Sequence, residues 1–123
     1  MKNDKETYIQ ELKELLKDFR DKRDWKQFHD PKNLAEAISI EAGELLELFL
    51  WKNKEDIKEK IDNDLEFKKE IQKELADVII FSLNLANVID LDISECVKSK
   101  IEENNKKYSI NKSKGNATKY TKL

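Results

Sequence analysis

The chain is poor in residues that break, bend or staple a fold: 2 glycines, 1 proline, 1 cysteine and 1 histidine among 123 residues. That leaves little material for tight hairpin turns, and long stretches of Glu, Lys, Leu, Ile and Ala favour helix, so an all-α fold is expected. Cys96 has no partner for an internal disulfide, and with His29 as the one histidine no ordinary zinc site can be assembled. No run approaches the roughly 20 apolar residues of a membrane helix, and the opening "MKNDKETYIQ" lacks the apolar core of a signal peptide, so a cytoplasmic setting is expected. A dominant charge is missing too. With 24 basic against 26 acidic residues the net charge is -2, which argues against coating a nucleic acid polymer or an anionic membrane.

What is present is helical periodicity. Tyr8, Leu12, Leu15, Leu16 and Phe19 recur on one face of a helix expected over Asp4 to Lys22. The segment "RDWKQFHDPKN" breaks the pattern, and Asn33 is a candidate N-cap for a second helix from Leu34 to Trp51. The charged "KNKEDIKEKIDND" is compatible with a short helix but reads mainly as a connection between buried elements. A third helix, Leu65 to Asp90, is apolar almost all round from Leu75 to Ile89, which makes it central or places it against another subunit. A fourth, capped by Asp92 or Ser94, runs to Lys107. The expected architecture is a four-helix bundle in one domain, residues 1–110. A basic tail, 111–123, follows, with Lys112, Lys114, Lys119 and Lys122 and no acid.

Carboxylates interrupt two of the apolar seams. Leu34, Ile38, Glu41, Leu45 and Leu48 follow steps of four and three along the second helix, with Glu44 beside Glu41 at i+3. In the third, Glu74 is the sole charge in the seam Phe67, Ile71, Glu74, Val78, Phe81, Leu85 and Val88, and Asp77 follows three residues on. Among 26 acids such spacings also arise by chance, and most are solvated. Position is what separates these four, because an inward ionised carboxylate is costly unless paired or coordinated. No Lys or Arg lies between Ala35 and Trp51, or between Glu74 and Asp90. A divalent cation resolves the repulsion, and an all-oxygen set favours Mg²⁺ or Mn²⁺, which meet substrates through phosphate oxygens.

The runs "RDWKQFHDPKNLAEAISIEAGELLELFLWK" (23–52), "KELADVIIF" (73–81), "KSKIEENNKKY" (98–108) and "KYTKL" (119–123) resemble the MazG-like all-α nucleoside triphosphate pyrophosphohydrolases, most of all their dCTP pyrophosphatase branch. The resemblance implies cleavage between the α and β phosphates of a nucleoside triphosphate, dCTP or a modified dCTP, in nucleotide pool sanitation. It implies Mg²⁺ held by Glu41, Glu44, Glu74 and Asp77, with Glu41 or Glu47 orienting the attacking water, and a homotetramer built as a dimer of dimers. Trp25 and Trp51 would flank the base, with Phe81 where the nearest relatives carry a tyrosine and Leu16 where they carry a histidine. Phe28 is a further aromatic candidate beside the base. His29 is either a phosphate contact or a hydrogen-bonded loop residue. Lys100 and Asn104 match positions that can reach the polyphosphate, and the tail either folds Lys119 and Tyr120 back near the triphosphate or is a disordered, soluble end. Competing expectations are a dUTP or broad-range pyrophosphohydrolase, and a noncatalytic helical module whose acids pair with a partner's lysines.

Overall fold

The computed structural model describes Met1–Leu123 and contains helices and turns without strands. The helices are α1 (Ile9–Asp21), α2 (Pro31–Glu47), α3 (Lys54–Asn63), α4 (Leu65–Val88), α5 (Ile93–Lys107) and the single turn α6 (Ile110–Ser113). None is long and apolar enough to cross a membrane. Contacts divide the chain into two units, Met1–Asp90 and Leu91–Leu123.

In the first unit α4 is the hub on which α1, α2 and α3 pack. Leu34 of α2 and Phe67, Leu83 and Ala86 of α4 are its buried apolar residues. Leu34 is 2% exposed, so its truncation to alanine is expected to cost about 2–5 kcal/mol. Phe67 meets Phe49 edge to face, centroids 6.1 Å apart, with the Lys60 ammonium 4.8 Å from its ring centre. Asn87 Nδ2 donates to the Lys13 carbonyl at 3.0 Å and ties α4 to α1.

The helix boundaries show which local signals prevailed. α1 starts at Ile9 rather than Asp4, because Tyr8 N–H donates to Glu11 Oε2 at 2.7 Å and fixes the start there. α2 starts three residues before the expected Leu34. Asp30, not Asn33, is the cap, its Oδ1 accepting from Asn33 N–H at 2.9 Å with Pro31 in the first helical position. α2 also ends early, at Glu47: tighter turns follow, and Trp51 has φ +62°. The charged connection is a helix in its own right, α3, capped by Asn53. It adds a helix to the four expected.

In the second unit Asp92, one of the two expected caps, accepts from Glu95 N–H at 2.9 Å and starts α5. In the segment expected as a basic tail, the chain makes α6 and a final 3₁₀ turn, Tyr120–Lys122. Tyr120 packs edge to face on Tyr108 at 5.7 Å, with Lys107 over its ring.

Candidate functional site

The apolar seams of α2 and α4 face inward as their spacing demands: every residue in each is buried or half-buried, Glu41 and Glu74 included. The fold thereby brings Glu41, Glu44 and Glu74 together, each able to present an oxygen within 4.8 Å of the others. Glu41 Oε2 and Glu74 Oε2 are buried and accept no hydrogen bond. Burial is the main force raising the Glu41 pKa, followed by hydrogen bonding with Glu44 and the charges of Glu44, Asp77 and Glu74. Glu74 is raised in the same way, by burial first, then by Glu44, Asp77 and Glu47. Asp77 and Glu47 therefore belong to the same electrostatic neighbourhood. Orphaned buried carboxylate oxygens on which the acting charges are other acids, and which pair with no ammonium or guanidinium, suit a hard divalent cation.

A cavity of about 270 Å³ lies in this unit, walled by Leu16, Trp25, Ile80 and Phe81, and Asp77 lines it as well, linking it to the carboxylates. Its rim is built locally. The Arg20 carbonyl accepts from both Arg23 and Trp25 N–H, and Asp24 turns the chain at φ +52°. Trp25 then packs on Phe19, centroids 5.9 Å apart and planes at 71°. His29 also lines the cavity. It is half-buried, its Nδ1 has no partner, and burial, assisted by the Arg20 charge, holds its pKa below the ordinary value. The imidazole is neutral near pH 7.

Not every sequence-predicted residue gathers at this cavity. Phe28 is exposed on a short 3₁₀ turn, Lys26–Phe28, and Trp51 is 94% exposed; neither lines the cavity. Four others belong to the second unit. Lys100 is ion-paired with Glu103 at 2.9 Å, and Lys107 pairs with the same carboxylate. The Asn104 carbonyl accepts from Tyr108 N–H, Lys119 precedes the last turn, and Tyr120 packs edge to face on Tyr108.

Two cavity residues escaped the sequence reading. Arg20 and Asn84 are the buried polar residues of the chain, 6% exposed each, and both line this cavity. Asn84 had a signal, a polar side chain inside the apolar run from Leu75 to Ile89. Arg20 had none, since it sits among the charges that fill α1.

A bundle that sets inward carboxylates from two helices beside an aromatic-walled cavity defines an all-α protein with an acidic cluster able to hold a metal ion. Comparison with known proteins narrows the class. The MazG-like family model matches residues 36–123, and dCTP pyrophosphatase 1 of Bos taurus is 36% identical over 118 residues, 96% of this chain and 69% of that protein. The Rattus norvegicus and Homo sapiens proteins of the same name are 37% and 35% identical over the same span. A crystal structure of a pyrophosphatase from Archaeoglobus fulgidus superposes with a TM-score of 0.77 at 39% identity, covering 89% of this chain and 99% of that one. The chain belongs to the MazG-like family.

Proposed function

We propose that this chain is a nucleoside triphosphate pyrophosphohydrolase that converts dCTP, or a modified dCTP, to the monophosphate and pyrophosphate. The observation that carries this reading is the pair of orphaned carboxylate oxygens, Glu41 Oε2 and Glu74 Oε2, beside a cavity walled by Trp25 and Phe81. Glu41, Glu44, Glu74 and Asp77 would hold Mg²⁺, with Mn²⁺ as a substitute. Once bound, the ion supplies charge stabilisation at the phosphorus. The protein's own part is positioning. Trp25 and Phe81 would take the base, a contact worth about 1–3 kcal/mol, and the cavity they share with Asp77 would lead the phosphates toward the carboxylates. Glu47, which acts electrostatically on Glu74 without joining the three-carboxylate cluster, or Glu41 would orient the attacking water and accept its proton.

The polyphosphate carries several negative charges, and Lys100, Asn104, Lys119 and Tyr120 are the family-matched groups to receive them. His29, neutral and with a free Nδ1, is a further contact. The assembly is a homo-oligomer, a dimer of dimers by family resemblance. Exposed Leu15, Leu75 and Ile79 on the α1 and α4 surfaces support it, as does Trp51, a large aromatic held at positive φ in solvent. In that assembly Trp51 and Phe28 have apolar surroundings to enter.

The test is a panel of canonical and modified triphosphates, dCTP and dUTP among them, incubated with Mg²⁺ and resolved by product. Pyrophosphate and monophosphate are expected, with dCTP or a modified dCTP preferred. Release of orthophosphate, or no turnover of any triphosphate, contradicts the assignment and returns the acids to a role in binding a basic partner.

A further inference from the structure

Arg20 and Asn84 have no structural duty that explains their burial. Arg20 Nε donates to Asp21 Oδ1 at 2.7 Å, and its two terminal Nη groups have no protein acceptor. The Asn84 carboxamide makes no hydrogen bond within the chain. Their unpartnered polar atoms still reach solvent, so a ligand that displaces that water without matching them forfeits about 1–3 kcal/mol for the amide and more for the charged group. Each residue is 6% exposed and both line the cavity shared with Trp25, Phe81 and Asp77, while Arg20 also borders a second pocket with Lys17, Lys26 and Asn87. Aromatic walls bind any base by its face. They do not discriminate between bases, whereas unmatched donors and acceptors in the same cavity do.

We propose that Arg20 and Asn84 are the specificity-determining pair of this site, hydrogen-bonding the Watson–Crick edge of a base and selecting a 2-oxopyrimidine. The chemistry fixes the class. A guanidinium only donates, so it requires an acceptor, and every 2-oxopyrimidine has one in O2. An amide offers one donor and one acceptor side by side. It matches N3 and the 4-amino group of cytosine in one orientation, and N3–H and O4 of uracil or thymine in the other. Adenine presents only C2–H where Arg20 needs an acceptor, and guanine presents its 2-amino donor there. Purines therefore leave a buried guanidinium unpaired.

The inference rests on the nucleotide reading above, and it is tested by binding rather than turnover, so the two can fail separately. Calorimetry with dCMP, dUMP, dTMP, dAMP and dGMP on the full chain is expected to show the pyrimidines bound roughly tenfold or more tighter than the purines. Asn84→Leu and Arg20→Met, checked for wild-type melting, are expected to weaken pyrimidine binding about tenfold and bring purines level. On the wild-type protein the monophosphate of 2-pyrimidinone, which lacks the 4-substituent, is expected to bind about tenfold more weakly than dCMP, a difference lost in Asn84→Leu. Equal affinities across the five bases, no binding of any of them at millimolar concentration, or folded variants that keep the pyrimidine preference overturn the proposal. Should a variant fail to fold, equal binding of the 2-pyrimidinone nucleotide and dCMP to the wild type overturns it alone. A wild type that binds pyrimidines selectively but hydrolyses no triphosphate contradicts the enzyme assignment and leaves the base-reading pair intact.

Discussion

Glu41 and Glu74 of the first unit and Glu103 of the second are the same residue type on helices of the same chain, yet their environments push them in opposite directions. Glu41 and Glu74 lie in apolar seams among other acids, and their pKa values are raised, chiefly by burial. Glu103 sits on the exposed face of α5 between Lys100 and Lys107, whose hydrogen bonds lower its pKa to about 2. One carboxylate has its cations built in; the other two lack any. Acids that are both inward and unpartnered mark a place reserved for something the chain does not supply, whereas a charge-rich helix surface solves its own electrostatics.

The sharpest way to break that contrast is to remove one charge from each group. Glu41→Gln is expected to lower turnover at least about a hundredfold, while leaving the metal-free protein no less stable, since it deletes a repulsion. Steady-state kinetics paired with thermal melting checks this, and near-normal turnover would remove Glu41 from the site. Next in size is the response to metal. Mg²⁺ at about 100 times its dissociation constant stabilises the fold by about 2.7 kcal/mol, a rise of roughly 10 °C in melting temperature for a chain of this length. Glu41→Gln should blunt that rise, whereas Glu103→Gln should leave it intact.

The pH dependence should carry opposite signs in the two groups. A carboxyl whose folded pKa is raised holds its proton more tightly when folded, so metal-free stability falls as pH climbs from about 4.5 through the raised values of Glu41 and Glu74, and stays lowered above them. Glu103 acts the other way: its contribution is present above about 4.5 and is lost as pH falls toward about 2. Denaturation followed across this range, with and without Mg²⁺, separates the two, because metal should flatten only the upper limb. The smallest effect is expected from Glu103→Gln at pH 7, about 2 °C or less in melting temperature, since exposed ion pairs are screened and cost side-chain entropy. A large loss there would mean that the α5 pairs carry more of the fold than their exposure allows.

Much of this site was legible before any coordinates. The steps of four and three that placed Glu41 and Glu74 among Leu34, Ile38, Phe67 and Val78 are geometric necessities of a helix, so the inward direction of both carboxylates followed from spacing. Helix ends were read less well. Asp30 and Asn33 are both good caps, and only Pro31 in the first helical position distinguishes them. The early end of α2 and the left-handed Trp51 depend on tertiary constraint, for which an aromatic residue gives no local cue. α3 was read as a connection because its apolar content is thin, although its Asn53 cap and four-residue spacing of Ile57 and Ile61 were there to be seen. Arg20 shows the sharper limit. Among the many charges of α1, nothing local marks the one that turns inward, and only the fold reveals it beside Asn84.

The most direct test of the central claim, that the unpartnered acids of α2 and α4 await a divalent cation, is calorimetric titration of Mg²⁺ into metal-free protein near pH 5, in two buffers of different ionisation enthalpy. Saturable binding that releases protons is expected, because the cation replaces the protons that Glu41 and Glu74 hold above the ordinary carboxylate range, and Glu41→Gln should weaken both the binding and the release. A folded wild-type protein that takes up no Mg²⁺, or takes it up equally well as Glu41→Gln with no proton released, would contradict the claim.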